Sequence, residues 1–316
     1  MAGRHRRGLG GVAGQPGRHG TGARPRGRRG TARPARRIRG APRARGIHRP
    51  GTGGHEVTTP AELTENRAQY WKDGYTVLRG LYTDEEVEGF RKECDRLWNL
   101  DGLDDDLNLR TEFRRGPDGG YAFDRLDPVL DISPALNEAA TRPALLDALA
   151  TVLGGSAAIL KCKLIRKEPG VNGYAAHQDF LYWKWLETHP DLLCTVVLNL
   201  YPSDEESGGI GFYRGNHQKL LPGPPENPEG DFDPTRLDPS TIEVPALGAG
   251  DVLVFHSLAP HFSGPNHSDR PRTVLLPSYC VTDETGLYQR YYKREIVRRC
   301  KEMVGFERYF ARNDSL

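Results

Sequence analysis

Short apolar runs of β type follow one another between residues 157 and 281, with no helical pattern between them. Parallel neighbouring strands would need a crossover of a dozen or more residues, which is usually a helix. The succession therefore predicts a sandwich or barrel of antiparallel strands rather than a βαβ sheet. A stretch rich in Pro, Asp and Glu, residues 222–241, is predicted to be a long insertion between strands. The predicted strands lie at residues 157–165, 192–200, 209–213, 251–256 and 272–281.

Helical patterns flank this β region. Thr83 precedes three acidic residues, which is typical of a helix N-terminus, and apolar residues then recur at helical spacing. Residues 101–128 are charged and contain glycine, so they are predicted to form a loop or lid. A short strand is predicted at residues 74–82, and helices at residues 64–71, from residue 83 onward, and at 134–153 and 288–312.

Charge divides the chain into two parts. Residues 1–56 hold 15 Arg, no Lys and one acidic residue, whereas the other 260 residues carry a net charge of −12. The first segment has no aromatic residue and no apolar period, so we predict that it is a disordered tail. It could be untranslated upstream sequence with the true start at Val57, an inert tail, or a nucleic-acid contact without stacking aromatics. Residues 57–316 are predicted to form a single domain.

Two absences restrict the class of protein. No apolar run approaches the roughly 18 residues that a membrane-spanning helix needs, so an integral membrane protein is not expected. The five cysteines are widely spaced and form no Cys-x-x-Cys pair, which argues against a structural zinc site or a disulfide framework. A cytoplasmic, reducing location is therefore predicted.

His177 and Asp179 stand two positions apart. In a strand such residues point to the same side, so an imidazole and a carboxylate would converge there. A second histidine from a distant strand would complete a face of two His and one carboxylate, the set that suits non-haem Fe(II) and leaves positions open. His256, His261 and His267 could each supply it. The alternative is an ordinary polar pair at a barrel mouth.

Four short motifs occur in order along the chain. They are Asp-Gly-Tyr-x-Val-Leu-Arg-Gly at residues 73–80, His-Gln-Asp at 177–179, Arg-Gly-Asn-His at 214–217, and His-x-Ser-x-x-Asn at 261–266. Arg272 follows eleven residues after the histidine of the last motif. Together these motifs resemble the phytanoyl-CoA dioxygenase-like family of Fe(II)- and 2-oxoglutarate-dependent oxygenases. The resemblance extends from about residue 66 to residue 281.

The resemblance implies a fold and a set of site residues. The fold is mainly β with flanking helices, a double-stranded β-helix (a cupin-like jelly roll) with the N-terminal helices packed on one sheet. His177, Asp179 and His261 are the implied iron ligands. Arg272 would hold the distal carboxylate of 2-oxoglutarate in a bidentate pair, and the Ser263 hydroxyl would share it. The same resemblance implies a place beside the co-substrate for two further residues, Lys163 and Gln178, although family members usually have an uncharged residue where Lys163 stands.

The implied activity uses Fe(II), O2 and 2-oxoglutarate, which is decarboxylated to succinate while an aliphatic C–H bond of a small molecule is oxidised. Related halogenases have a small residue where Asp179 stands, so the carboxylate favours hydroxylation. Desaturation, epimerisation and ring closure use the same iron site and stay open. The rival interpretations are a cupin-like protein that only binds a metal or small molecule, and a nucleic-acid-associated protein that uses its basic tail. We expect a natural-product or amino-acid substrate and no membrane partner.

Overall fold

The computed structural model describes residues 59–105, 108–116 and 118–304. The predicted tail, residues 1–56, and the predicted end of the last helix at residue 312 lie outside the described residues. None of the helices in the described ranges has the length and apolar character needed to cross a bilayer.

Two antiparallel sheets form the centre of the fold, as the succession of apolar runs predicted. The larger sheet has seven strands in the order β1-β8-β5-β10-β4-β3-β2, and the smaller sheet has the order β7-β6-β9. The strands are β1 (Tyr75–Leu78), β2 (Thr111–Arg115), β3 (Tyr121–Leu126), β4 (Ala157–Lys167), β5 (Leu193–Asn199), β6 (Ile210–Tyr213), β7 (Ile242–Glu243), β8 (Val252–His256), β9 (His261–Ser263) and β10 (Arg272–Val281).

Five α-helices are described, and capping residues explain where two of them begin. Thr59 and Thr83 each form a capping box with a glutamate three residues later. The predicted helix at residues 134–153 is two helices, because Pro143 has no N–H and keeps Arg142 extended at ψ 128°. The helices are α1 (Pro60–Asp73), α2 (Asp84–Trp98), α3 (Pro134–Ala140), α4 (Pro143–Leu153) and α5 (Leu287–Val304).

The prediction of a loop over residues 101–128 is wrong for much of that stretch. β2 and β3 pair as an antiparallel hairpin at the edge of the large sheet, and β3 joins β4 through Arg125 and Leu126. The charges that suggested a loop neutralise one another across the hairpin. Arg114 Nε lies 3.0 Å from Asp124 Oδ1, and Arg125 pairs with Glu112. Edge strands commonly carry such charges, since they discourage pairing with other chains.

Strand β4 separates the core from a cavity. Its side chains alternate, so Cys162 and Leu164 join the main apolar cluster, which they share with the helices. A second apolar cluster includes Phe212 of the small sheet together with Ile165 and Phe255 of the large one. The opposite side of β4, beginning at Lys161 and Lys163, faces the cavity. Polar residues on that side are therefore brought together by strand pairing rather than by closeness in sequence.

Candidate active site

His177 and His261 are neighbours because their backbones pair. His177 N–H donates to the His261 carbonyl at 2.9 Å, His261 N–H donates back at 3.0 Å, and the ring centroids are 4.2 Å apart. Our prediction that His177 and Asp179 share a strand is wrong, since Asp179 begins a 3₁₀ turn. Phe180 N–H donates to the Ser257 carbonyl at 2.9 Å and draws the chain into that turn. The two side chains nevertheless meet, with His177 Nε2 3.7 Å from Asp179 Oδ1.

Hydrogen bonds orient both imidazoles. His177 Nδ1 lies 2.8 Å from the carbonyl oxygen of Ala175, and His261 Nδ1 lies 2.9 Å from that of Ala259. A carbonyl can only accept, so each Nδ1 carries the proton and each Nε2 has a free lone pair. Candidate ligand atoms from these two histidines and Asp179 lie within 4.8 Å of one another. This donor set suits a divalent transition metal such as Fe(II).

Asp179 is held by a chain of two hydroxyl groups. Thr195 Oγ1 donates to Asp179 Oδ2 at 2.7 Å, and the Ser278 hydroxyl lies 3.1 Å from Thr195 Oγ1. Since the Thr195 proton goes to Asp179, Ser278 is the donor in the second bond. Burial raises the pKa of Asp179, but the two imidazoles and two lysines of the cavity outweigh it and hold that pKa well below its ordinary value. The carboxylate is therefore ionised and keeps Oδ1 available for a metal.

Sequence reasoning missed Thr195 and Ser278. Thr195 stands between Cys194 and Val196, and it faces Ser278 across the β5–β10 ladder. A hydroxyl flanked by buried apolar residues was the available signal at Thr195.

Arg272 lies at the far end of the same cavity, at the start of β10. Its side chain is 4% exposed, and its Nε and Nη1 have no hydrogen-bond partner among the described residues. Burial lowers the pKa of Arg272 to about 10, so the guanidinium is still charged at neutral pH. Buried N–H groups are rarely left without an acceptor, so this arrangement fits a bound carboxylate.

Ser263 lies in the same cavity as Arg272 and has a proton to donate. Its Oγ accepts from Tyr174 N–H at 3.0 Å and from Lys167 Nζ at 3.0 Å, which leaves the hydroxyl hydrogen free. Lys167 was not predicted as a site residue. Its ammonium also donates to the carbonyls of Gly208 and Gly264, so it positions Ser263.

The other two residues predicted to lie beside the co-substrate are placed differently. Lys163 lines the cavity, with Nζ 5.9 Å from the centre of the Tyr174 ring, and burial lowers its pKa to about 8. Gln178 does not line the cavity. Its amide donates to the carbonyls of Lys219 and Leu258 and accepts from Leu221 N–H, so it fastens a neighbouring loop.

The remaining histidine candidates lie elsewhere. His256 and His267 do not line the cavity, and His256 is bound through both ring nitrogens. The walls of the cavity come from both sheets and from the segment that precedes His177. The lining residues are Lys161, Lys163, Ile165, Tyr174, His177, Asp179, Thr195, Ile210, Phe255, His261, Phe262, Ser263, Arg272, Val274, Leu276 and Ser278.

Comparison with known proteins decides the family. The phytanoyl-CoA dioxygenase (PhyH) family model matches residues 70–274, about two thirds of the chain. The chain belongs to the phytanoyl-CoA dioxygenase family. The predicted resemblance is confirmed, and the match contains all four motifs.

Individual relatives agree with this membership. Methylphosphonate hydroxylase of Gimesia maris is 28% identical over 233 residues, covering 73% of this chain and 85% of that protein. The solved structure of EctD from S. alaskensis with bound Fe has a TM-score of 0.58 at 19% identity, covering 72% of this chain and 83% of that one. The epimerase SnoN, crystallised with Fe3+, alpha-ketoglutarate and nogalamycin RO, has a TM-score of 0.57 at 22% identity, covering 70% and 84%. These likenesses confirm the cupin-like double-stranded β-helix.

Membership of this family confirms the predicted class of enzyme. The protein is a non-haem dioxygenase that depends on iron and 2-oxoglutarate and uses O2 as the oxidant. Its relatives act on small molecules, in keeping with the prediction of a small-molecule substrate.

Proposed function

We propose that His177, Asp179 and His261 hold Fe(II) and that the enzyme hydroxylates an aliphatic C–H bond of a small molecule. One observation carries the assignment: three ligand atoms lie within 4.8 Å, with both Nδ1 atoms turned to carbonyls. Two imidazoles and one carboxylate on one side of the ion leave positions for a chelating co-substrate and O2. The bound iron supplies the oxidising chemistry, and the protein supplies orientation and a dry cavity.

The proposed site for 2-oxoglutarate extends from Arg272 toward these ligands. The orphaned Nε and Nη1 of Arg272 would donate to the distal carboxylate, and Ser263 would donate its free hydroxyl proton. Lys163 lies further along the cavity, where it would face the other end of the co-substrate. A protein that only bound a metal would have no use for this buried cationic clamp, which argues against the binding-only alternative.

Hydroxylation is favoured over the other outcomes of the same iron site by two observations. Asp179 occupies the position where related halogenases have a small residue. The relative that is 28% identical over most of its length is named a methylphosphonate hydroxylase, which makes a small phosphonate one candidate substrate. A cytoplasmic location is a further prediction, based on the wide spacing of the cysteines.

The test uses the co-substrate and no substrate. The purified protein is mixed with Fe(II) without oxygen, and 2-oxoglutarate is added while the visible charge-transfer band of the chelate is recorded. We expect the band in the wild-type protein and in His256→Ala, the matched control from outside the cavity. We expect no band in His177→Ala. A folded wild-type protein without a band, or a band in His177→Ala, would contradict the proposal.

A further inference from the structure

The charges that line the cavity do not balance. Three cationic side chains, Lys161, Lys163 and Arg272, face one carboxylate, Asp179. Fe(II) would add two positive charges, and 2-oxoglutarate would remove two. The loaded site, which rests on the proposed function, therefore keeps a surplus of two positive charges in a desolvated place, where unpaired charge is costly.

Lys161 is the cation that neither carboxylate of 2-oxoglutarate can reach. It pairs in register with Ser278, six residues beyond Arg272 on β10, which is about 20 Å along an extended strand. A five-carbon acid held by its distal carboxylate at Arg272 is too short to reach that end. Lys163, which is opposite Leu276, lies between the two. Arg272 and Lys163 thus suffice for the two carboxylates of 2-oxoglutarate.

Aromatic rings surround the Lys161 ammonium without neutralising it. Its Nζ lies 5.4 Å from the centre of the Trp183 ring and 5.9 Å from that of Tyr291. Both rings are buried, and Tyr291 belongs to α5, which packs against β4. None of the described residues forms a hydrogen bond or an ion pair with Lys161, although the carboxylates of Asp179 and Asp127 attract its charge from farther away. Rings at these distances fix an ammonium group weakly and leave its charge available to an anion.

We propose that Lys161 binds an anionic headgroup of the substrate, and that the substrate is a small oxyanion such as an alkylphosphonate. The surplus of two charges favours a headgroup that can release two protons over a single carboxylate. Residues 57–316, which contain the cavity, carry a net charge of −12, so the preference comes from the cavity and not from the overall charge. An anion at Lys161 would lie beside the Asp179 end of the cavity, which places the attached carbon chain near the proposed iron.

The test separates headgroup binding from co-substrate binding. Calorimetric titrations of the anaerobic Fe(II)–2-oxoglutarate complex compare ethylphosphonate, propanoate and propan-1-ol, which share an ethyl group and differ in charge. We expect ethylphosphonate to bind most tightly and propan-1-ol most weakly. Lys161→Met should weaken ethylphosphonate binding by about 10- to 100-fold, the range for one charged hydrogen bond, and leave 2-oxoglutarate affinity unchanged. Lys161→Arg should restore most of the lost affinity.

Controls distinguish the possible failures. Lys92→Met removes an exposed cation from α2, so it should leave all three titrations unchanged. Equal affinities for the three probes, or unchanged ethylphosphonate binding in Lys161→Met, would overturn the inference. A loss of 2-oxoglutarate affinity in Lys161→Met would also overturn it, by assigning that residue to the co-substrate. Absence of the charge-transfer band in the wild-type protein would instead contradict the proposed function.

Discussion

Among the described residues, two clusters combine histidines with an aspartate, and only the first has the geometry of a metal site. In the cavity, the His177 and His261 rings are 4.2 Å apart beside Asp179. Behind β8, the His217 and His256 rings are 5.3 Å apart, and His256 Nε2 lies 3.2 Å from Asp191. Residue composition alone does not separate the two clusters.

The direction of the hydrogen bonds separates them. His256 Nδ1 accepts from Leu258 N–H at 3.0 Å, so its Nε2 carries the proton and donates to Asp191. No nitrogen of His256 is left for a metal. Each cavity histidine uses Nδ1 as a donor and keeps Nε2 free. A carbonyl acceptor two residues earlier in the chain is therefore the feature that makes these histidines candidate ligands.

The two aspartates offer the strongest test of this difference. Asp179→Ala removes a proposed ligand and should abolish both hydroxylation and tight iron binding. Asp191→Ala removes the carboxylate that contacts His256 and the exposed His189, neither of which is a proposed ligand, and should retain both. Metal content and succinate production in the two variants measure the contrast. Full activity in Asp179→Ala would contradict the assignment of Asp179 as an iron ligand.

Arg272→Ala should produce the next largest effect. Losing charge-assisted hydrogen bonds to a buried carboxylate should raise the KM for 2-oxoglutarate by about 100-fold. The KM of Arg272→Lys should lie between those of the wild-type protein and Arg272→Ala, because an ammonium group cannot reproduce the bidentate contact. Steady-state kinetics at varied 2-oxoglutarate, with iron content checked in parallel, measure the change. An unchanged KM would contradict the proposed clamp.

Lowering the pH should reduce the free energy of unfolding through His256 of the second cluster. Burial lowers the pKa of His256 to about 4, below the ordinary value of 6.5. The unfolded chain therefore binds the proton first, and stability present above pH 6.5 is lost as the pH falls toward 4. Between pH 7 and 4.5 the metal-free wild-type protein should lose about 2 kcal/mol more unfolding free energy than His256→Asn. Urea unfolding measures both, and equal losses would contradict the assignment.

Thr195→Val should have the smallest effect. It removes the hydrogen bond to Asp179 Oδ2 without removing a ligand, so iron affinity should fall by about tenfold, as for other residues that orient metal ligands. Val281→Thr, at the partly exposed end of β10, is a control for substitution in a strand and should leave iron affinity unchanged. Iron titration without oxygen compares the two with the wild-type protein. An unchanged affinity in Thr195→Val would mean that the hydroxyl does not orient the carboxylate.

Sequence predicted the cavity contacts that belong to short motifs and missed those that depend on strand pairing. The resemblance of the motifs to the family singled out His261, Ser263 and Arg272, which all line the cavity. Lys161 and Thr195 were missed, because their meeting depends on the pairing of β4 and β5 with β10. That register is set by long-range packing, which no local pattern encodes.

The predicted secondary structure was wrong where tertiary contacts overrode local character. Residues 111–115 and 121–126 pair as a hairpin with ion pairs across it, and residue 179 leaves the extended conformation because Phe180 bonds to Ser257. The middle residue of the His-Gln-Asp motif, Gln178, lies outside the cavity because its amide is fully used by backbone groups.

The two-sided character of β4 also protects the enzyme against misassembly. A slip of one residue against β10 would turn Lys161 and Lys163 into the apolar core and expose Cys162 and Leu164 to the cavity. Each displaced ammonium would carry a large desolvation cost, so mispaired chains would be poor competitors of the native pairing. The native pairing of β4 with β10 therefore places the core residues and the charged residues of the cavity together. The lysines that line the site thus also favour the native register of β4 over a shifted one.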